Sequence, residues 1–346
     1  MNSYLETFLN AFTGSLDWTW KSVTGQVPWF QNYFWGIIII SAIVWSFELI
    51  FPWRKNQAVI RKDFWLDLCY LFFNFFPFSI AISGFYELFS LLFNDLNISF
   101  SQIALIDLAS LPEWAQLLLF FVILDFVQWL THILLHRNPF LWQFHKVHHS
   151  VKEMGFAAHM RYHWMENVLY KPFKAFAIMI LGGFEPQQAF LVHFITITIG
   201  HLNHANIKLT WGIFKYIFNN PVMHLYHHAK TIPSGKVGVN FAISLSIWDY
   251  LFKTSYIPEE SGKVPLGFPE DETFPKSFLK QQFYGFRKDY DYLRQQGLAG
   301  GASEENVLIV EDDAYFNGPR IDQECVRHKC LDIIGDYLTE INVTSP

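Results

Sequence analysis

Long apolar runs alternate with short polar loops along this chain, and the polar residues nearest the runs are very often histidine. Residues 34–51 form a first run long enough to cross a bilayer, 64–93 a second and 114–135 a third. Two shorter runs, 168–182 and 187–202, are joined by Gly182-Gly183-Phe184-Glu185-Pro186, a turn by its Gly and Pro content. They suit a hairpin dipping into the membrane from one side. Residues 1–33 are amphipathic and carry Trp18, Trp20 and Trp29, with Trp35 close behind, which fits an interfacial segment where indole rings sit half in water. The exit from the first run carries Arg54, Lys55, Arg61 and Lys62, which marks that loop as cytoplasmic. The loop 94–113 has only Asp95, Asp107 and Glu113 as charges and is expected outside. The third run then returns to the cytoplasm, with the N-terminus outside and the C-terminus inside.

Beyond the runs, 240–252 reads as an amphipathic segment, and Pro258, Pro265, Pro269 and Pro275 make the next stretch extended. Residues 297–303 look like a linker. The tail from Glu304 is acidic and reads as a solvated appendage with a short helix around 330–341. The expected organisation is all-α and integral to the membrane: about four transmembrane or re-entrant units capped by a cytoplasmic helical, histidine-rich domain.

Thirteen of the fourteen histidines lie between His132 and His228. They cluster as His132-x-x-x-His136, His145-x-x-His148-His149, His201-x-x-His204 and His224-x-x-His227-His228, with His159 and His163 between the second and third groups. Residues three and four apart share a helix face, so each cluster aims two or three imidazoles at one point. One HxxHH triplet is expected by chance about once in fifty chains of this histidine content, and two occur here. Isolated His193 and His328 read instead as ordinary hydrogen-bonded residues. On the third run, Asp125, Gln128, His132 and His136 recur at three- and four-residue steps and lie on one stripe. An ionisable residue such as Asp125 inside a span is costly and marks either function or helix pairing.

Composition agrees with a membrane protein: 51% of residues are hydrophobic, 37 are Phe and only 16% are charged. The net charge of -6 comes mostly from the C-terminal third, so no nucleic-acid surface is indicated. Three cysteines, Cys69, Cys325 and Cys330, make neither a disulfide framework nor a CxxC zinc site. No cleavable signal peptide is apparent at the start.

Imidazole suits zinc, copper, iron and nickel, so ligand type alone leaves the metal open. Ligand number narrows it: the four clusters supply ten histidines, enough for two ions. Few acids lie among them, unlike the glutamate-rich di-iron bundles.

The ordered set HxxxH, HxxHH, a histidine-bearing middle segment and a final HxxHH, followed about twenty residues later by Trp248-Asp249-x-x-Phe252, resembles the fatty acid hydroxylase and sterol desaturase superfamily. The likeness covers about residues 114–256. It implies metal ligation by His132, His136, His145, His148, His149, His224, His227 and His228. It extends to His163, followed by Glu166 as in a sterol-enzyme element although Trp164 replaces its proline, and to His201 and His204. His159, Arg161, Glu166, Asp125 and Asp249 are candidates for supporting the ligands, Arg161 matching an arginine of the alkylglycerol monooxygenase branch. The resemblance implies a non-haem di-iron oxidoreductase that uses dioxygen and two external electrons to hydroxylate or desaturate a lipid. The lipid would be a sterol, an alkylglycerol or a fatty acyl chain. His-Pro-Gly-Gly, the mark of a fused cytochrome domain, is absent, so a separate cytochrome- or ferredoxin-type donor is expected. The membrane would be a bacterial inner membrane or the endoplasmic reticulum, with the metals at its cytoplasmic face. The domains are then 1–33 interfacial, 34–113 N-terminal spans, 114–256 catalytic, 257–303 a Pro/Gly-rich extension and 304–346 the acidic tail.

Two alternatives keep the clusters: a membrane hydrolase using zinc-bound hydroxide, and a metal transporter. No HExxH motif supports the first, and ligands at one membrane face rather than at its middle disfavour the second.

Overall fold

The structure, a computed structural model, describes residues 2–97, 108, 110–181, 186–234, 236–258 and 262–286. It is all-helical apart from two isolated bridges among the described residues, Pro52 with Ile207 and Ala229 with Leu266. The turn at 182–185, the linker at 297–303 and the acidic tail lie outside the described residues.

The first apolar run becomes α2 (Tyr33–Ile50), whose start is capped by the Asn32 side chain accepting from the Trp35 amide. Its apolar window has a mean hydropathy of 1.9 and is only 11% buried by the rest of the protein. Ile38, Ile39, Ile43 and Phe47 all face outward. A helix with its backbone satisfied internally and its apolar side chains turned out is matched to lipid.

The second run is split into α3 (Phe64–Phe75) and α4 (Pro77–Asp95). Pro77 has no amide to continue the ladder, so the helix restarts there. The third run is α5 (Glu113–Arg137). Three segments, Tyr33–Ile50, Phe64–Asp95 and Glu113–Arg137, are long and apolar enough to cross a membrane. The N-terminal segment is a helix, α1 (Asn2–Val23), lying antiparallel along α4. Tyr4 donates to Asp95 at one end, and Phe8 packs edge-on to Phe85 further along. Gly84 permits this approach, since a Cβ there would come within 2.5 Å of the Phe8 ring.

The histidine clusters sit on four helical pieces: the end of α5, α6 (Pro139–His149), the end of α8 (Pro186–His204) and α9 (Pro221–His227). Between them run α7 (Trp164–Leu181) and a single-turn 3-10 helix, Phe156–Met160. Short helices α10 (Ile247–Leu251) and α11 (Phe278–Tyr284) complete the described chain. Of the amphipathic segment expected over 240–252, only Ile247–Leu251 is helical. Residues 239–246 form a buried irregular loop, with Asn240 in the left-handed region at φ 51.

Buried carboxylates pin these pieces together. Glu48, near the inner end of α2, accepts from the amides of Phe156 (2.7 Å) and Asn206 (2.6 Å), tying the span to the 3-10 turn and to the end of α8. Asp67 on α3 is fully buried between the guanidinium groups of Arg61 and Arg161. A buried charge network of this kind is costly to break, because removing one partner strands the others. Asp67→Ala leaves two buried cations facing each other, and we expect it to lower stability by about 3–5 kcal/mol. Thermal unfolding of the detergent-purified protein reads this; an unchanged midpoint would remove the network from the stabilising framework.

Candidate metal centre

Each HxxHH box is presented by a sharply started helix. Pro139 and Pro221 occupy the first turns of α6 and α9, where a missing amide costs nothing. Asn138 caps α6 through the amides of Phe140 and Leu141, and Asn220 caps α9 through that of Met223.

The helices bring nine histidines into two groups, all buried. His132, His136, His145, His149 and His227 form one; His148, His204, His224 and His228 form the other. Within each, one ring nitrogen per residue lies within 4.8 Å of all the others. The two HxxHH boxes are shared in the same way: each sends its i and i+4 residues to one group and its i+3 residue to the other. His145 and His149 join the first group while His148 joins the second; His224 and His228 join the second while His227 joins the first.

The hydrogen bonds decide what these groups can do. The Nδ1–H of His148 donates to the Arg161 carbonyl (2.9 Å) and that of His204 to the Gly200 carbonyl (2.7 Å). A carbonyl can only accept, so each neutral ring has its one proton on Nδ1 and a bare lone pair on Nε2. Yet these two Nε2 atoms lie 3.3 Å apart. His132 and His227 are fixed likewise by the carbonyls of Phe241 (2.7 Å) and Val239 (2.8 Å), and His145 Nδ1 lies 3.1 Å from Glu166 Oε2. The His132 and His145 Nε2 atoms are 3.1 Å apart, and His224 Nε2 stands 2.9 Å from His204 Nε2 and 3.3 Å from His228 Nε2.

Opposed lone pairs repel unless a cation sits between them. Four nitrogens about 2.0–2.1 Å from a common ion stand roughly 3.3 Å from one another in a tetrahedron, which is the spacing found. Further ring nitrogens, His136 Nε2, His149 Nε2 and His227 Nε2, are buried with no partner. Protonation offers no escape at neutral pH: burial, followed by neighbouring imidazoles, holds His145 and His149 well below the ordinary histidine value. Burial does the same for His224, His227 and His228 and pushes His148 down to about 3. The donor set therefore fits two cations held by neutral imidazoles.

The remaining candidates lie around the groups. Glu166 is on the outer nitrogen of His145. Arg161 binds Asp67 and lends its carbonyl to His148. Asp249 accepts from the Phe241 and Ala242 amides (3.0 Å each), Trp129 Nε1 (3.0 Å) and the Thr254 hydroxyl (2.6 Å), and so fixes the carbonyl that orients His132. Asp125 accepts from the amides of Ser244 and Leu245 and from Trp248 Nε1, holding the same loop to α5. Two histidines of the expected ligand set stand outside both groups. His163 donates from Nε2 to the Gln282 carbonyl (3.0 Å) and accepts at Nδ1 from the Met165 amide (3.1 Å). His201 lies between Ser41 Oγ (3.1 Å) and His159 Nδ1 (2.9 Å). His159 in turn packs on His204, with ring centres 5.0 Å apart. The backbone carbonyls that orient the rings escape sequence reading, because they carry no side-chain signature.

Residues 117–254 match the family model for fatty acid hydroxylase. A second model, UDP-3-O-acyl N-acetylglycosamine deacetylase, matches residues 228–344. Among curated proteins, the chain is 28% identical over 204 residues to the ornithine lipid hydroxylase OlsE of Rhizobium tropici, covering 59% of each chain. It is 48% identical over 59 residues to a UDP-3-O-acyl-N-acetylglucosamine deacetylase of Leptospira biflexa, and 40% identical over 68 residues to that of Syntrophotalea carbinolica. The chain spans a little over half the length of the hydroxylase and only 20% and 22% of these deacetylases. No solved structure matches.

Asp249→Asn keeps shape but weakens the grip on Phe241 and hence on His132. It should reduce metal affinity of the first group by about 10–100-fold, the usual scale for a supporting partner, while the second group keeps its ion. Metal per chain by elemental mass spectrometry, falling from two toward one, is the expected reading; an unchanged count at limiting metal would remove Asp249 from this role. The imidazole shifts set a pH dependence as well. Below about pH 6.5 the unfolded chain binds protons that buried His148 does not accept until about pH 3. Stability of the metal-free protein should therefore fall as pH is lowered through this window. An unfolding midpoint that stays flat or rises between pH 7.5 and 5.5 would contradict it.

Proposed function

Because residues 117–254 match the fatty acid hydroxylase family model and the chain resembles an ornithine lipid hydroxylase, we infer that it is a member of that family and a membrane-bound oxygenase that hydroxylates a lipid at a pair of histidine-held iron ions. The carrying observation is the pair of buried groups in which neutral imidazole lone pairs converge. Imidazole alone is equally good for zinc, and iron is favoured by the hydroxylase likeness, since hydroxylation is a redox reaction. Bound there, two iron ions would supply the electrons that activate dioxygen and the oxidising power that breaks an unactivated C–H bond.

The chain's own residues would do the rest. His132, His136, His145, His149 and His227 hold one ion and His148, His204, His224 and His228 the other. The Nδ1–H bonds to backbone carbonyls keep each ring in the ligating tautomer and stiffen it. Burial of every ligand keeps bulk water from the reacting centre. The basic loop after α2, with Lys55 and Lys62, supports a cytoplasmic face for the site. A separate cytochrome or ferredoxin would dock on that face to deliver electrons. Hydroxylation is preferred to desaturation because the matching family and the similar relative are both named for it. That relative's name also makes a polar lipid, such as an ornithine lipid, a reasonable first substrate to test.

The deacetylase likeness reaches into the tail and spans about a fifth of each deacetylase. We propose no deacetylation from it.

The test is metal content and oxygen uptake on detergent-purified protein from cells grown without added zinc. About two irons per chain, with donor-dependent oxygen uptake on adding bacterial lipid extract, is expected. The chain ending at Phe286 should give the same metal count. Zinc alone, with no uptake restored by ferrous iron under reducing conditions, would move the zinc hydrolase ahead.

A further inference from the structure

The seam between α5 and α7 carries polar chemistry that metal binding does not use. On α7, Glu166, Tyr170 and Lys174 recur at four-residue steps and share one face. Glu166 reaches the first histidine group through His145, and two turns further on Lys174 donates to Gln128 on α5 (2.6 Å). Gln128 lies on the same stripe as His132, one turn before it, so the two helices run antiparallel with the seam leading from the histidines into the membrane. Gln128 precedes the inner end of α5, Arg137, by about 13 Å of helix. Lys174 therefore meets the apolar Glu113–Arg137 segment well before its inner end.

A lysine at this depth normally faces an acid or snorkels to the interface. Lys174 makes no direct ion pair among the described residues: its ammonium donates to Gln128, stands 5.7 Å from the Tyr170 ring and feels the charge of Asp125, one turn before Gln128 on α5. Lys171, one turn nearer the histidines, likewise makes no ion pair among the described residues and stands 5.7 Å from the face of Tyr86 on α4. Asp125, the other charged group on this stripe, spends both oxygens on the amides of Ser244 and Leu245 and on Trp248. At the histidine end of the seam, Glu166 Oε1 is buried with no partner. Lys174 in the α5–α7 seam and Lys171 on the α4 side of the same helix are thus buried ammonium groups without a direct ion pair among the described residues.

We propose that this seam seats an anionic oxygen group of the lipid substrate, a carboxylate or a phosphate, on Lys174 with Lys171 beside it. The seat is about one helical turn from the first histidine group, so the C–H bond presented there lies within a few bonds of the anion. A neutral sterol or alkylglycerol would leave both lysines without a direct ion pair and is the poorer ligand. The word substrate rests on the hydroxylase reading, but the seat does not require turnover.

The test compares binding of oleate, oleyl phosphate and oleyl alcohol to the metal-loaded full chain in detergent at a pH where oleate is ionised. At least one anion should bind about tenfold or more tighter than the alcohol, and which one does so separates carboxylate from phosphate. Lys174→Met and Lys174→Gln should erase that preference at unchanged metal content, whereas Asp17→Asn, on the exposed face of α1, should leave it intact. A smaller preference in the unaltered protein, or one that survives either Lys174 variant, overturns the proposal. A protein that holds zinc and takes up no oxygen yet prefers the anions would sink the hydroxylase reading and leave the seat standing.

Discussion

Bare lone pairs on buried imidazoles, set against each other at about 3 Å, are the constraint on which the rest of this structure depends. Each ring could relieve the repulsion by turning or by moving its proton, and the fold prevents both. The carbonyls of Gly200, Arg161, Val239 and Phe241 hold protons on Nδ1 from three different parts of the chain. Much of the irregular backbone between the helices can be understood as the means of delivering those carbonyls. The loop at 239–246 has little helical structure because its work is to aim Val239 and Phe241. Asp125 and Asp249 satisfy its amides in return. Metal binding and folding are therefore coupled: without cations the converging rings destabilise the very packing that orients them.

The two groups are also not independent. Because each HxxHH box divides between them, α6 and α9 each contribute to both. A small rotation of either helix would move one ligand of one group and two of the other. This braiding fixes the separation of the two sites through helix geometry alone, without a bridging carboxylate among the described residues. It also explains why α5, which serves only the first group, needs nothing beyond a plain HxxxH.

The boxes were legible in the sequence because three- and four-residue spacing is a property of a single helix. How they combine was not, since that depends on how four helices are rotated against each other. His201 and His204 illustrate the limit: three residues apart, they look like a pair, but His204 turns into the second group while His201 turns to Ser41 and His159. His163 and Glu166 also looked paired, and only Glu166 reaches a histidine of the groups. The three long apolar runs were legible from hydropathy, but the break inside the second was hidden because Pro77 sits in an otherwise continuous apolar stretch. Asp125 stood out as a charge in a span; that its partners are backbone amides could not be read from side chains. The likeness of the tail to a deacetylase segment is likewise invisible to periodicity, which saw only an acidic appendage.

The placement of charge within the membrane layer obeys the same physics. Lipid tolerates no unsatisfied polar group, so α2 faces outward mainly with isoleucine and phenylalanine, and its exposed Ser46 donates to the Ala42 carbonyl of its own helix. Asp125 on α5 and Lys174 on α7 turn toward each other's helices, and the facing sides of α5 and α7 meet. Asp125 there is satisfied by three donors, and Glu166 is half satisfied by His145. Lys171 and Lys174 make no direct ion pair among the described residues, whereas Asp67 is held by two arginines. Under the proposed hydroxylase reading, the histidine groups and the seam would belong to one device: the first would break a strong bond, and the second would decide which bond is brought to it.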